Sequence, residues 1–173
     1  EKKLNEDFDL LKPVIDIKQD SSSYFINKNR IIINKNSNIR TGSILDAERG
    51  PIIIGENVTI DIGSKIQGPV FIDNNSYISS GAKIRPMTLI GPGCKVGGEI
   101  SNTIFYANSN KVHDGFLGHS YVGEWVNIGA GTNNSNLKNN YGHIKFIFEN
   151  KQINTGRTFL GAMIGDYTRI GIS

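Results

Sequence analysis

The fold is decided by residues 54–97, which read IGENVT-IDIGSK-IQGPVF-IDNNSY-ISSGAK-IRPMTL-IGPGCK-VG when divided into sixes. Each hexad opens with an aliphatic residue and carries a small or aliphatic residue four positions later. The first set is Ile54, Ile60, Ile66, Ile72, Ile78, Ile84, Ile90 and Val96, and the second is Val58, Ser64, Val70, Ser76, Ala82, Thr88, Cys94 and Ile100. A period of six fits neither the helical repeat of 3.6 nor a long alternating strand.

Short strands that turn at a fixed interval and stack coil upon coil produce this repeat. The sequence therefore predicts an all-β protein, a left-handed parallel β-helix built from hexapeptide repeats. The hydrophobic fraction of 38% suits such a narrow interior. The rule lapses over residues 104–115 and again after Asn133, which predicts loop insertions that leave the wall.

The period also suggests the domain organisation. Residues 1–30 do not follow it, and we interpret them as a short irregular linker from a missing upstream domain. Residues 31–173 form the predicted hexapeptide-repeat β-helix, an acyltransferase domain by the resemblance described below. The last hexad stops at Ser173 without a polar segment to cap the final coil, from which we expect this domain to be incomplete at its C-terminus.

Charge and cysteine content limit the kinds of partner and compartment that the sequence predicts. The net charge is +3, and basic residues are interleaved with acidic ones, so no basic run predicts nucleic-acid binding. The single cysteine, Cys94, occupies a small-residue position and is predicted to be buried. It cannot form an internal disulfide, which favours a reducing compartment. The sequence contains no long apolar stretch and no signal peptide, so we expect a cytoplasmic protein with no membrane partner.

Residues 113–136, HDGFLGHSYVGEWVNIGAGTNNSN, are the hexads richest in polar groups. This run resembles the C-terminal acetyltransferase domain of the bifunctional glucosamine-1-phosphate acetyltransferase / N-acetylglucosamine-1-phosphate uridylyltransferases. The segments NLKNNYG (136–142) and TGRTFLGAMIGDYTRIGIS (155–173) are similar to the alternative bacterial and archaeal branch of these sugar nucleotidyltransferases. The resemblance covers about residues 50–173.

The resemblance implies a role for five residues. His113, fourteen residues before Asn127, would be the general base that frees the sugar amine to attack the thioester of acetyl-CoA. Asn127 and Asn136 would contact the sugar and acetyl groups, since an amide both donates and accepts hydrogen bonds. The backbone at Ala130 would lie along acetyl-CoA, and the Arg85 guanidinium would bind the sugar phosphate. No metal is implied for this domain.

The function implied is acetyl-CoA-dependent N-acetylation of an amino-sugar phosphate resembling glucosamine 1-phosphate, a step toward UDP-N-acetylglucosamine or a similar nucleotide sugar. The family also implies a homotrimer whose sites lie between subunits. Uridylyl transfer would need the upstream domain, because the sequence has no Gly-rich nucleotide loop.

The chain departs from the family at Phe116, where a tyrosine is usual, and at residues 102–104, where a lysine is missing. Lys111 is a candidate replacement, and Lys138, Lys145 and Arg157 are candidates for a second family lysine.

Other interpretations remain open at this stage. Arg85 could be an exposed wall residue, and Asn127 and Asn136 could belong to an internal asparagine ladder. A zinc enzyme of the γ-carbonic anhydrase type would need His113, His119 and His143 to converge, although residues six apart should lie on successive faces. A third hypothesis is a non-catalytic trimerisation or regulatory module, which Phe116 and the missing lysine favour.

Overall fold

Strands of two to four residues make up most of the regular structure. The computed structural model describes residues 2–11, 18–19 and 22–172. Within them lie one helix, α1 (Lys2–Leu10), and a single 3-10 turn at Lys28–Arg30. In chain order the strands are β1 (Lys18–Gln19), β2 (Tyr24–Ile26), β3 (Ile31–Ile33), β4 (Asn38–Ile39), β5 (Ile44–Asp46), β6 (Ile52–Ile54), β7 (Thr59–Ile60), β8 (Lys65–Gln67), β9 (Val70–Ile72), β10 (Tyr77–Ile78), β11 (Lys83–Ile84), β12 (Thr88–Ile90), β13 (Lys95–Val96), β14 (Glu99–Ser101), β15 (Ile104–Ala107), β16 (Asn110–Lys111), β17 (Phe116–Gly118), β18 (Tyr121–Glu124), β19 (Asn127–Ile128), β20 (Lys145–Phe148), β21 (Lys151–Asn154), β22 (Met163–Ile164) and β23 (Arg169–Ile170).

The strands stack into three parallel sheets that form the three walls of a coil. Sheet A contains β3, β6, β9, β12, β15, β18 and β22. Sheet B contains β1, β4, β7, β10, β13, β16, β19 and β23, and sheet C contains β2, β5, β8, β11, β14 and β17. The chain visits sheets A, B and C in turn, so each regular coil consumes three hexads. This arrangement confirms the predicted left-handed parallel β-helix.

The core is the column of aliphatic side chains that the hexads point inward. Ile54 pairs with Ile72, eighteen residues later, and Ile72 pairs in register with Ile90 two coils above Ile54. All eight residues of the first aliphatic set are 0% exposed, and all eight of the second set are buried, including Cys94. Burial of one such aliphatic side chain contributes about 1.5–3 kcal/mol. The predicted interior is therefore confirmed residue by residue.

Coil length changes above Val96. Val96 pairs with Lys111, only fifteen residues later, and Phe105 pairs with Val122, seventeen residues later. Residues 104–115 therefore stay in the wall as β15 and β16, and the prediction that a loop leaves there is wrong. The lapse in the hexads reflects shorter corners between strands, since a corner can lose residues while the ladder of backbone hydrogen bonds continues.

The second predicted insertion is confirmed. After Asn136 the chain leaves the wall, forms the antiparallel hairpin of β20 and β21, and returns at Leu160. We call residues 137–160 the excursion. All residues of both hairpin strands are exposed.

The coil also reaches further toward the N-terminus than the hexads indicated. β1 pairs with β4 and β2 pairs with β5, so strands join the walls ahead of the boundary drawn at residue 31. Helix α1 is nine residues long. Across the described parts of the chain, the structure contains no helix that is long and apolar enough to cross a membrane.

The column of inward side chains predicts the cost of a cavity. Replacing Ile66 with Ala should lower the free energy of unfolding by about 2–5 kcal/mol, because neighbouring coils cannot collapse into the space. Lys65→Ala, on the exposed face of the same strand, is the matched control and should change it by less than about 0.5 kcal/mol. Urea unfolding followed by circular dichroism measures both. Equal losses would contradict the inward assignment of Ile66.

Candidate active site

His113 lies at the B/C corner, the turn that joins a strand of sheet B to the next strand of sheet C. Its side chain is exposed. The B/C corner of the next coil, residues 129–132, stacks directly on this one, because the amide of Gly131 donates to the carbonyl of Asp114 at 3.1 Å. A Cβ atom on Gly115 would collide with the carbonyl oxygen of Thr132, so the two corners approach this closely only with glycine at that position. Ala130 belongs to the upper corner.

Asn127 stands on β19, immediately before the upper corner. Its Oδ1 accepts a hydrogen bond of 3.0 Å from Nδ2 of Asn110, which lies one coil below on the outer face of sheet B. The Oδ1 atom of Asn110 is buried and has no partner within the described structure. The two amides thus form a polar pair beside the stacked corners, and the amide nitrogen of Asn127 is available to donate to a ligand.

A cleft of about 420 Å³ opens where the B/C corner meets sheet C, on the side of the corner away from Asn110 and Asn127. It is lined by Gly81, Lys83, Gly98, Glu99, Asp114, Gly115, Phe116 and Asn133. A second cleft of about 490 Å³ continues along sheet C, shares Lys83 and Glu99 with the first, and contains Arg85. Arg85 is exposed, and its Nη1 lies 2.8 Å from Oε1 of Glu99. We call the two clefts together the groove. Its lining therefore carries both positive and negative side chains.

Asn136 lies at the other end of β17, at the C/A corner. Its Nδ2 lies 2.8 Å from Nδ1 of His119, a distance at which the amide donates to the ring when the neutral imidazole holds its proton on Nε2. The His119 ring stacks on Phe159 with 5.2 Å between ring centroids. Burial lowers the pKa of His119, and the positive charge of Arg157 lowers that pKa further. His119 thus contacts Asn136, just before the excursion, and Phe159, near its end, and so holds both ends of the excursion against the wall.

The predicted site residues thus fall into two groups. His113 and Ala130 lie on the two stacked B/C corners and Asn127 precedes the upper one, whereas Arg85 follows β11 and lines the second cleft. Asn136 is placed at the opposite corner, where its side chain contacts His119. Sequence reasoning missed Lys83, Glu99, Asp114 and Asn133 as groove residues. Lys83 and Glu99 directly precede the buried Ile84 and Ile100, and this alternation was the available signal.

Lys111 does not face either cleft. Its side chain is 1% exposed and points into the core from β16. The interpretation of Lys111 as a ligand-binding replacement for the missing family lysine is therefore wrong, because a buried inward side chain cannot reach a ligand on the outer wall.

The three histidines are spread over different parts of the fold. His113 and His119 lie at opposite ends of β17, as their six-residue spacing predicts, and His143 belongs to the excursion. Among the described residues of one chain, no group of three or more His, Cys, Asp or Glu side chains is placed to hold a metal ion.

Comparison with known proteins gives relatives of one kind. Residues 51–86 match the family model described as bacterial transferase hexapeptide (six repeats). The chain is 39% identical over 127 residues to a bifunctional sugar-1-phosphate nucleotidylyltransferase/acetyltransferase of Sulfurisphaera tokodaii, a match that covers 72% of this chain and 32% of the relative. It is 39% identical over 140 residues to the uncharacterized acetyltransferase YaiX of Escherichia coli, covering 80% of this chain and 61% of the relative. It is 27% identical over 159 residues to the bifunctional protein GlmU of a Synechococcus species, covering 90% and 34%.

The three-sided coil and the match over residues 51–86 define the fold class of the chain, a β-helix built from hexapeptide repeats. Within that class its sequence is similar to GlmU and to a bifunctional sugar-1-phosphate nucleotidylyltransferase/acetyltransferase, which confirms the resemblance seen in residues 113–136. The chain spans between about a third and three-fifths of the length of the relatives named above.

The contacts of His119 predict its titration. Its folded pKa lies below the unfolded value of about 6.5, so the neutral ring stabilises the docked excursion above that pH, and this contribution is lost as the pH falls through the folded pKa. In an NMR titration the imidazole of His119 should show a midpoint below that of a free histidine. Arg157→Gln should raise this midpoint by removing the repelling charge. An unchanged midpoint would rule out the electrostatic effect of Arg157.

Proposed function

We propose that the stacked B/C corners form the active site of an acetyl-CoA-dependent N-acetyltransferase whose acceptor is an amino-sugar phosphate. The observation that carries this proposal is the position of His113, an exposed residue that directly precedes Asp114, Gly115 and Phe116, three residues that line the 420 Å³ cleft. We propose that its imidazole turns toward a ligand bound in that cleft.

The charges of the groove support this class of acceptor. An amino-sugar phosphate carries an ammonium group and a phosphate, so it needs both signs of charge in one site. Asp114 and Glu99 offer carboxylates near the corner, while Lys83 and Arg85 offer cations along sheet C. We propose that the amine lies toward Asp114 and His113 and that the phosphate lies toward Lys83 and Arg85. The guanidinium of Arg85 would then exchange Glu99 for phosphate oxygens.

The proposed reaction uses His113 as a general base. His113 takes a proton from the sugar ammonium, and the freed nitrogen lone pair attacks the thioester carbonyl of acetyl-CoA. The new C–N bond forms as the C–S bond breaks, the CoA thiolate leaves and takes the second proton that the acylated nitrogen loses, and His113 releases its own proton to solvent. Asn127 would donate its amide to the acceptor, and the backbone at Ala130 would lie along the pantetheine arm of acetyl-CoA. Phe116, which lines the cleft, provides packing without the hydroxyl of the family tyrosine.

The outer face of sheet A supports a homotrimer. Register places seven apolar residues one above another on this face: Ile32, Ile53, Phe71, Leu89, Ile104, Tyr121 and Met163. The first two are buried within the chain, but Ile104 is 45% exposed and Met163 67% exposed. The matching column on sheet B is polar, from Asn38 through Lys95 to Arg169. A contiguous apolar face of this kind is typical of an interaction surface.

We propose that sheet A packs around the three-fold axis and that the active site is shared. Asn136 stands at the C/A corner, which borders sheet A, and so lies on the side of the proposed interface. A neighbouring subunit would then bring its sheet B, with Asn127, toward this corner. Asn136 would then bind the acceptor that lies at the His113 of a neighbouring subunit. Within its own chain, Asn136 contacts His119 and not His113.

The wider role follows from the relatives. We propose that the reaction contributes to nucleotide-sugar synthesis in the cytoplasm, where the buried thiol of Cys94 stays reduced. Nucleotidyl transfer, which the name of the Sulfurisphaera relative includes, would belong to another part of the whole protein.

The proposal predicts the effect of removing the base. His113→Gln should lower acetyl transfer from acetyl-CoA to glucosamine 1-phosphate by about 10²–10⁴-fold, because glutamine cannot accept the proton. Release of the CoA thiol measures the rate. His143→Gln, in the exposed part of the excursion, is the matched control and should retain full activity.

Two outcomes would contradict this assignment. Full activity in the His113→Gln variant would show that His113 is not the base. A folded trimer with no turnover on any amino-sugar phosphate would instead favour the non-catalytic trimerisation or regulatory role.

The apolar face predicts the effect of a charge at the interface. Ile104→Arg should convert the trimer to monomer, because the guanidinium would have to be buried without a partner. Multi-angle light scattering measures the mass. Thr59→Arg, on the outer face of sheet B, is the control and should leave the trimer intact. A wild-type protein that runs as a monomer would overturn the trimer and the shared site together.

A further inference from the structure

The inward column of sheet B contains one charged residue. Register aligns Lys111 with Val96 below it and Ile128 above it, and further down the column are Ile78 and Ile60. The four aliphatic residues are at most 2% exposed and Lys111 is 1% exposed. Burying an ammonium group among aliphatic side chains costs several kcal/mol unless hydrogen bonds and nearby charge offset it. The sequence period alone would have placed an aliphatic residue here.

Glycines let the B/C corners around Lys111 approach each other closely. The residue that directly precedes each sheet C strand is Ser64, Ala82, Gly98 and Gly115 in four successive coils. Glycine therefore occupies this small-residue position at the two levels on either side of the Lys111 ammonium. A Cβ atom on Gly98 would lie 2.6 Å from the carbonyl oxygen of Gly115 and 3.1 Å from that of His113. The two corners are thus in close contact at the level that Lys111 reaches.

The ammonium of Lys111 bonds to both of these corners. Its Nζ donates to the carbonyl oxygen of His113 over 2.8 Å and to that of Gly97 over 3.4 Å. Burial lowers the pKa of Lys111, and the carboxylate of Asp114 opposes that shift. His113 therefore stands on a corner whose backbone is held from inside the coil, while its imidazole faces the solvent side.

We infer that Lys111 is a positioning residue, which fixes the backbone of His113 and through it the direction of the imidazole. The inference rests on the proposed function, since it takes His113 as the base. It gives the buried lysine a purpose that stability does not supply, because a hydrophobic residue of similar length in such a column is often neutral or stabilising. The hydrogen bonds hold a corner that contains a glycine and would otherwise be free to adopt other turns.

The variant Lys111→Met separates positioning from stability. Methionine keeps the length and fills the column, so the melting temperature should stay the same or rise. We expect kcat for acetyl transfer to fall roughly ten- to a hundredfold with KM unchanged, because a displaced base loses alignment with the acceptor amine. Ile78→Met, in the same column and similar in volume, is the control and should leave kcat unchanged. A lower melting temperature with unchanged kcat would overturn the inference and make Lys111 a structural residue.

A double-mutant comparison tests whether Lys111 acts through His113. Lys111→Met should cause no further loss in a His113→Gln background, because the base that it positions is absent. A full additional loss would overturn the inference. If His113→Gln is inactive while Lys111→Met turns over normally, the inference alone fails. If His113→Gln retains activity, the proposed base fails first.

Hydrogen exchange gives a readout that does not depend on activity. The amides of residues 112–116 should exchange faster in the Lys111→Met protein than in the wild type, while those of residues 79–83, the B/C corner two coils below, should not change. Unchanged exchange at residues 112–116 would overturn the inference even if no turnover were found in either protein.

Discussion

Pairing between successive coils is the constraint on which the rest of the structure depends. Each strand is only two to four residues long and has almost no stability by itself, so it exists because the strands above and below supply its hydrogen bonds. Pairing in register requires that every coil return to the same wall with the same residue facing inward. Ile54, Ile72 and Ile90 meet this requirement with eighteen-residue coils, whereas Phe105 and Val122 meet it with shorter ones. Length is adjusted at the corners, and the shortened B/C corner of residues 97–98 lies one coil below the corner that carries His113.

This constraint explains how much of the fold the sequence could predict. Where coils keep eighteen residues, period and burial agree, and each inward residue from Ile54 to Val96 is found at its predicted place. Between residues 104 and 115 the period is lost although the wall continues, because a shortened corner shifts the frame of all later residues. The hexads did not predict the first strands either. Phe25 is the residue of β2 that packs against the core, and it is only partly buried, so no aliphatic repeat marks this strand. Pairing across coils is a long-range property that a local pattern does not record.

The site was predictable to the extent that its residues share one corner. His113, Asn127 and Ala130 belong to stacked turns, so spacing along the chain carries over to proximity in space. Asn136 follows the same corner closely in sequence, but three residues along sheet C carry it to the next corner and to His119. The burial of Lys111 could not be predicted either. Its ammonium bonds to the carbonyls of Gly97 and His113, which lie on two B/C corners that become neighbours only after the coils stack.

The excursion begins and ends at nearly the same point. The amide of Leu160 donates to the carbonyl of Asn136 at 3.0 Å, and Leu137 bridges to Phe159. The coil below and the coil above are therefore joined as if residues 137–160 were absent. Such a closed detour can change in length and composition without altering the register of any wall, because its closure costs entropy that grows only slowly with length. Insertions and deletions can therefore accumulate in this segment while the scaffold remains the same.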